Sequence, residues 1–464
     1  MTTLPQSRSP WWAELTRYHW FVLAVAALGW LFDTMDQQLF NLARVPAMKE
    51  LLTTADGIAP SPADVAKYGG YATSIFLVGW ATGGLIFGVI GDRIGRAKTM
   101  MWTILIYSIC TGLSAMSQNF WDFAFYRFIT GLGVGGEFAV GVALVAEVMP
   151  DRARPHAIGL LQALSTVGNI TAALTSIGLG QLEQAGSLNN FKAWRLMFLV
   201  GALPALLAVV IRRRLKEPQR WQEAKAAKQV AGKNQLGSYS ELFRSPVWRK
   251  RALLGVCLAC AGVIGLWGIG FYSIDLNRSV LEKTFRAEGL TGVALSGKLN
   301  IWAGITSIML NFGAFFGIYG FSALSQRIGR KPTFAIAFVC AFLSTAMVFW
   351  YMRTLTDIFW MMPIMGFCIL SLFGGYAIYF PELFPTHLRS TGVSFCYNVG
   401  RFIAALGPIF LGQLTGVFFK DYPEPMRYAG LTMCSVFLLG ILVLPFLPET
   451  RGLPLPESDR GLSR

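Results

Sequence analysis

The sequence predicts an all-α membrane protein: twelve transmembrane helices in two pseudo-symmetric six-helix bundles, with both termini cytosolic. Three observations predict it. The 464-residue chain is 54% hydrophobic and only 14% charged, too apolar for a soluble domain of that length. Its apolar residues fall into twelve runs, most of them near the ~20 residues that cross a ~30 Å hydrocarbon core. Signatures in the first half return about 235 residues later, which marks an internal duplication.

The first bundle is expected over 19–211. Its opening run, 19–43, is full length and lacks a small-residue cleavage site, so it reads as a retained helix rather than a signal peptide. Pro10-Trp11-Trp12 ahead of it suits the lipid–water interface. The second run, 68–91, carries Gly79-x-x-x-Gly83 and Gly84-x-x-x-Gly88, spacings that let helices approach closely. Arg93-Ile94-Gly95-Arg96 leads into the third, 99–117. The fourth, 121–148, closes on Glu147-x-x-Pro150-x-x-x-Arg154. Runs 156–181 and 194–211 complete the bundle.

A basic cytosolic linker, 212–250, opens with Arg212-Arg213-Arg214 and is placed to skim anionic headgroups. The second bundle, 251–447, repeats the plan with runs 251–275, 299–324, 332–352, 355–384, 390–419 and 426–447. Arg327-Ile328-Gly329-Arg330 follows its second run, and Glu382-x-x-Pro385-x-x-x-Arg389 closes its fourth. A tail, 448–464, is expected in the cytosol. Two similar halves able to rock about a site between them are the plan of a membrane transporter.

The net charge of +15 does not indicate nucleic acid. On alternating loops, 26 of the 40 Lys and Arg fall on the side of both termini and 12 fall opposite. That bias sets orientation with both ends in the cytosol, and the chain is expected in the inner membrane. All seven cysteines lie in apolar runs, so Cys257-x-x-Cys260 reads as packing rather than a redox or zinc site. His19, His156 and His387 form no metal cluster. Gly131-x-Gly133-x-x-Gly136 matches a dinucleotide fingerprint, but without a βαβ unit it reads as close helix packing.

Gly88-x-x-Gly91-Asp92-Arg93-x-Gly95-Arg96-x-Lys98 resembles the cytosolic loop signature of the major facilitator superfamily. Arg127-x-x-x-Gly131-x-Gly133-x-Gly135, running on to Glu147 and Arg154, is similar to its sugar-porter-like branch. So is Pro448-Glu449-Thr450-Arg451-Gly452-Leu453. The resemblance implies alternating access with a cytosolic gate. The gate residues are Gly91, Asp92, Arg93, Gly95, Arg96, Glu147 and Arg154 in the first half, and Arg327, Arg330, Glu382 and Arg389 in the second. Gln326 stands where the first half has Asp92, and Met362 where it has Arg127. Ionic control is therefore expected mainly in the first half.

Asp33, Asp36, Arg127, Glu137 and Arg401 are ionisable groups within apolar runs, where charge is costly and suggests function. Asp33 and Asp36, at i and i+3, share a helical face. The resemblance implies that the first, fourth, fifth, seventh, eighth, tenth and eleventh helices line one cavity. All five charges are then expected to face one aqueous space. It also matches Asp33-Thr34 and Arg127 to the aspartate–arginine pair of proton symporters, with Asp36 and Glu137 as secondary carboxylates. Asp33-x-x-Asp36 resembles the double-aspartate motif of aromatic-acid symporters, with Thr34 in place of their glycine.

Sugar porters carry adjacent glutamines in the seventh helix, and Ala261-Gly262-Val263 offers none here. Gln162-x-x-x-x-x-Gly168 keeps a sugar-porter-like glutamine. Asn398-x-x-Arg401, followed by Pro408, resembles organic anion and organic acid carriers, and a planar guanidinium near the midplane suits a carboxylate. Gln162, Asn311 and Asn398 are expected to add neutral hydrogen bonds, with Trp267 and Tyr376 as walls. The expectation is a monomeric multi-pass symporter of a small organic acid anion, driven by a proton, embedded in lipid and needing no other cofactor. It is not expected to be an enzyme. A sugar or polyol porter and a cation or drug antiporter are the alternatives.

Overall fold

The computed structural model describes residues 10–457 except 54–56, 59, 61, 185–187, 189–190, 231–237, 271, 408–409, 412–413, 415–417 and 420. Among the described residues the fold is all helical. The first half contains α1 (Arg17–Leu51), α2 (Pro62–Ile94), α3 (Arg96–Ser114), α4 (Phe120–Val148), α5 (Arg154–Gln184), α6 (Ala193–Gly201) and α7 (Ala205–Arg214). Between the halves lie α8 (Gln219–Val230) and α9 (Tyr239–Arg244). The second half contains α10 (Pro246–Ile264), a π-helical segment (Gly265–Gly270) and α11 (Tyr272–Ala287). It continues with α12 (Gly292–Ile328), α13 (Arg330–Tyr351), α14 (Leu355–Leu383), α15 (Arg389–Ala404), α16 (Pro425–Met433) and α17 (Val436–Val443).

Nine stretches among the described residues are helical, long and apolar enough to cross a membrane. The other three runs expected to span are helical over much of their described residues, but each falls short for a visible reason. α3 begins with Arg96 and Lys98. The sixth run breaks between α6 and α7, where Pro204 caps the second piece. The eleventh begins as α15 and then enters a stretch where Pro408, part of the Asn398–Arg401 signature, lies outside the described residues.

Glycine decides how closely the helices cross. Gly79 and Gly83 of α2 face the backbone of α4 at Phe128 and Leu132, and Gly131 and Gly135 of α4 face α2 in return. A side chain at any of these would strike main chain, so the apparent dinucleotide fingerprint is a packing seam. Gly84 and Gly88 look the other way, onto Asn398 and Ser394 of α15, and Ser394 donates a hydrogen bond to the Gly84 carbonyl. The two halves meet along α2 with α15 and along α5 with α12.

The first and last described segments and the signature loops share one face. Arg152 pairs with Glu14 at 3.1 Å, and Tyr18 donates to the Lys216 carbonyl at 3.3 Å. Glu217 accepts from the Ala97 and Lys98 amides, both at 3.1 Å. Glu449 does the same for Arg330 and Lys331, at 2.9 and 3.0 Å. Each glutamate caps a helix whose preceding glycine has positive φ, 128° at Gly95 and 105° at Gly329.

Candidate functional site

A cavity lies between the halves. Its walls come from α1 (Trp30, Thr34, Gln37, Gln38), α2 (Trp80), α5 (Gln162, Ser165, Asn169), the π segment (Leu266, Trp267), α12 (Leu310, Asn311), α14 (Leu370, Phe373) and α15 (Tyr397, Arg401). The resemblance placed the fourth helix in this wall; the structure uses α2 instead, because glycine contacts hold α4 behind it. Trp80 and Trp267 meet edge to face across the halves at 5.8 Å. Asn169 donates to Asn311 at 2.8 Å, another link between halves.

Arg401 is the one charged side chain among these wall residues, and it is 2% exposed. Its guanidinium lies 4.1 Å from the Trp80 ring centre and 4.4 Å from that of Tyr397, held by cation–π attraction on two sides. Nη1 donates to Asn398 Oδ1 at 2.5 Å, so Asn398 orients the arginine from behind the wall. Nε has no hydrogen-bond partner, and no carboxylate pairs with the group among the described residues. Gln162 also lines the cavity, nearly buried, with its Oε1 unpartnered.

Two expectations about the acidic residues are corrected by the geometry. Arg127 pairs with Asp36, at 3.4 Å, and not with Asp33. Thr111 donates to Asp36 at 2.7 Å, while Arg127 donates to Ser114, Thr111 and Thr130 at 2.9, 3.2 and 3.0 Å. The second correction concerns location. Asp33, Asp36, Arg127 and Glu137 do not share a space with Arg401; they are buried inside the first half among α1, α3 and α4. Trp30 and Thr34 present the cavity side of α1, which turns Asp33 inward. There Asp33 is a neighbour of Glu137 of α4, which reaches α1 at Gly29.

Tyr376 is also corrected. It is fully buried in the second half, donates to the Leu258 carbonyl at 2.8 Å and stacks on Phe380, away from the cavity.

At the face of the chain ends the gate residues divide. Asp92 pairs with Arg96 at 2.7 Å and also accepts from the first turn of α15. Those bonds come from the Ser390 and Thr391 amides at 3.3 and 2.8 Å and the Thr391 hydroxyl at 2.6 Å. Glu147 accepts from Arg96 at 2.9 Å and from Arg389 of the other half at 3.1 Å. In the second half Arg330 and Glu382 pair at 2.9 Å, joined by the Thr450 hydroxyl at 2.6 Å. Gly91 packs against Val140 and Ser390 and gives its carbonyl to Arg96. Arg154 donates to the Ala146 carbonyl at 2.8 Å and pairs with Asp151, both in its own half. Arg93 and Arg327 are exposed. Sequence reading missed Glu217 and Trp221, whose Nε1 donates to the Asp92 carbonyl at 2.7 Å. The signal for Glu217 was present: it follows the sixth run as Glu449 follows the twelfth.

The family model described as Major Facilitator Superfamily matches residues 26–408. A probable 4-methylmuconolactone transporter of Cupriavidus pinatubonensis is 31% identical, over 97% of this chain and 92% of its own. A cis,cis-muconate transport protein of Acinetobacter baylyi is 28% identical, over 74% and 78%. Among solved structures, the proton:xylose symporter XylE superposes with a TM-score of 0.72 at 17% identity, covering 94% of this chain and 98% of that one. That likeness concerns the fold.

Proposed function

This chain belongs to the Major Facilitator Superfamily, and from that premise we propose that it is a proton-coupled symporter of a small organic acid anion. It works by alternating access across the inner membrane. The face holding both ends and the linker is read as cytosolic, since 26 of the 40 Lys and Arg belong to it. One observation carries the cargo assignment: Arg401 is a buried cation on the cavity wall without a carboxylate partner among the described residues. Such a charge is costly to keep unpaired. An incoming carboxylate supplies the missing charge and an acceptor for Nε. Aromatic rings beside the guanidinium suit a flat or unsaturated acid, and the relatives named for 4-methylmuconolactone and cis,cis-muconate support the same class.

The Asp92 and Glu147 contacts hold the cytosolic side shut while the anion enters from outside. Cargo and proton favour the switch only through tighter binding to the arrangement in which that side opens.

Replacing Arg401 by Ala is expected to weaken anion binding by about 2–3 kcal/mol, roughly 30- to 150-fold. The measurement is uptake of labelled cis,cis-muconate and benzoate into proteoliposomes. Unchanged uptake by the variant removes the anion assignment. An inward proton gradient is expected to concentrate the acid, and an indifferent gradient removes the coupling. A sugar or polyol is the second reading, favoured by the amides of Gln37, Gln38, Gln162, Asn169 and Asn311 around the cavity. Thermal-shift screening in which only sugars stabilise the protein would select it.

A further inference from the structure

Building on the transport reading above, we infer that the coupling proton is held between Asp33 and Glu137, and that the neighbouring Asp36–Arg127 pair is a fixed brace. The two acidic sites are built differently. At the brace, the charge of Asp36 is matched by Arg127, and hydroxyls of Thr111, Ser114 and Thr130 take the remaining bonds. The rings of Phe198, Phe40 and Phe123 close round the guanidinium at 4.6, 5.8 and 6.0 Å. A proton arriving on Asp36 would strand Arg127 in apolar surroundings, the costly outcome for a buried pair.

Asp33 and Glu137 have no such partner. Each is 1% exposed, Glu137 of α4 reaches α1 at Gly29, one turn from Asp33, and none of their four oxygens has a hydrogen-bond partner among the described residues. Tyr107 of α3, wholly buried, lies beside Asp33 with an unpartnered hydroxyl. The titratable groups facing the pair are Tyr107 and, along α1, Asp36; Arg127 of α4 is turned to Asp36. No cation among the described residues faces these carboxyls. Two bare carboxylates repel here, and one shared proton converts repulsion into a short charge-assisted hydrogen bond. The step balances simply: a hydronium ion gives its proton to one carboxylate oxygen and leaves as water. The charge of the pair falls from two negative to one.

The route to the cargo site is short. Phe138, next in the chain after Glu137, lies 4.5 Å from Trp30 and 4.6 Å from Tyr397, ring centre to ring centre. Trp30 and Tyr397 line the cavity, and the Tyr397 ring carries the Arg401 guanidinium. A rearrangement at Arg401 is therefore transmitted through two aromatic contacts to the residue beside the proton.

The test is infrared spectroscopy of the purified full-length protein in lipid, titrated with acid and base and without cargo. Wild type is expected to show the carbonyl band of a protonated carboxylic acid that titrates as a single step. Asp33→Asn and Glu137→Gln are each expected to move the midpoint by about one pH unit or more. The double variant is expected to lose the band and keep the wild-type Tm, since neutral amides replace a site that tolerates neutral groups. Asp36→Asn is expected to keep the band and lower Tm, because it leaves Arg127 unpaired. The inference is overturned if the band survives the double variant, if Asp36→Asn removes it, or if the double variant's Tm collapses. Displacement of the band by sodium at fixed pH also overturns it, by making the pair a metal-ion site. A failed Arg401→Ala uptake test would leave this spectrum untouched, so the two readings fail separately.

Discussion

The two halves contain the same corner twice and use it differently. In each, a positive-φ glycine precedes an arginine that binds a glutamate, at 2.9 Å for Arg96–Glu147 and 2.9 Å for Arg330–Glu382. In each, a glutamate from the segment after the last span caps the next helix. The first corner then reaches across: Asp92 takes three hydrogen bonds from α15, and Glu147 binds Arg389. The second carries Gln326, whose side-chain amide lies against Arg330 of the same half. Its cross-half contact is a neutral one nearby, Ser322 to the Pro155 carbonyl at 2.8 Å. Duplication therefore specifies the fold twice, while two carboxylates, Asp92 and Glu147, turn the first corner into a contact between halves.

The largest expected effect tests Glu147, which neutralises arginines from both halves. Glu147→Gln leaves Arg389 without a counter-charge and is expected to cost about 3–5 kcal/mol of stability. Glu382→Gln also leaves one arginine, Arg330, without its carboxylate, but that pair is slightly more open to water than Glu147–Arg389, and the expected cost is smaller, about 2–3 kcal/mol. Tm values of the two variants give the ranking, and equal losses would erase the asymmetry.

Asp92→Asn is expected next, loosening the contact between halves by about 1–3 kcal/mol, or roughly 5- to 150-fold. Hydrogen exchange reads it directly, as faster exchange of the Ser390 and Thr391 amides with little change at the start of α5. The reverse swap, Gln326→Asp, offers charge to the first turn of α5. It is expected to add only about 0.3–1 kcal/mol, visible as slower exchange there.

The smallest effect concerns Glu449. Burial alone would raise its proton affinity, but four backbone amides, those of Arg330, Lys331, Arg451 and Thr450, bring its pKa below the ordinary carboxylate value. A lowered folded-state pKa contributes stability that is present above the unfolded value, about 4.3, and is lost as pH falls through the folded one. The Tm gap between wild type and Glu449→Gln should narrow as the pH drops below about 4. A constant gap would mean that the cap works without its charge.

The duplication, the helical runs, the signature loops and the emphasis on the first half were all legible, because apolar periodicity and repeated spacing are local properties. Arg401 was legible as a lone cation in an apolar run. The partner of Arg127 was not. Asp33 and Asp36 share one face of α1 and both meet α4, at Glu137 and Arg127, and only the packing of α1 decides which of them reaches the arginine. Gly168 of α5 lies against the Leu31 carbonyl and the Thr34 hydroxyl, which turns Thr34 to the cavity and Asp33 away from it. Tyr376 misled for a similar reason, since an aromatic residue in an apolar helix fits a bundle interior as readily as a cavity wall.

One sixteen-residue helix has consequences beyond its packing. α15 carries Thr391 at one end and Arg401 ten residues on, about 15 Å apart at 1.5 Å per residue. Over that span a helix is a stiff rod, and between those two residues the rod rests on Gly84 and Gly88 of α2. On the transport reading proposed above, a tug at its deep end would arrive at its rim as a tilt, so one stiff helix would connect an occupied interior to the Asp92 contacts.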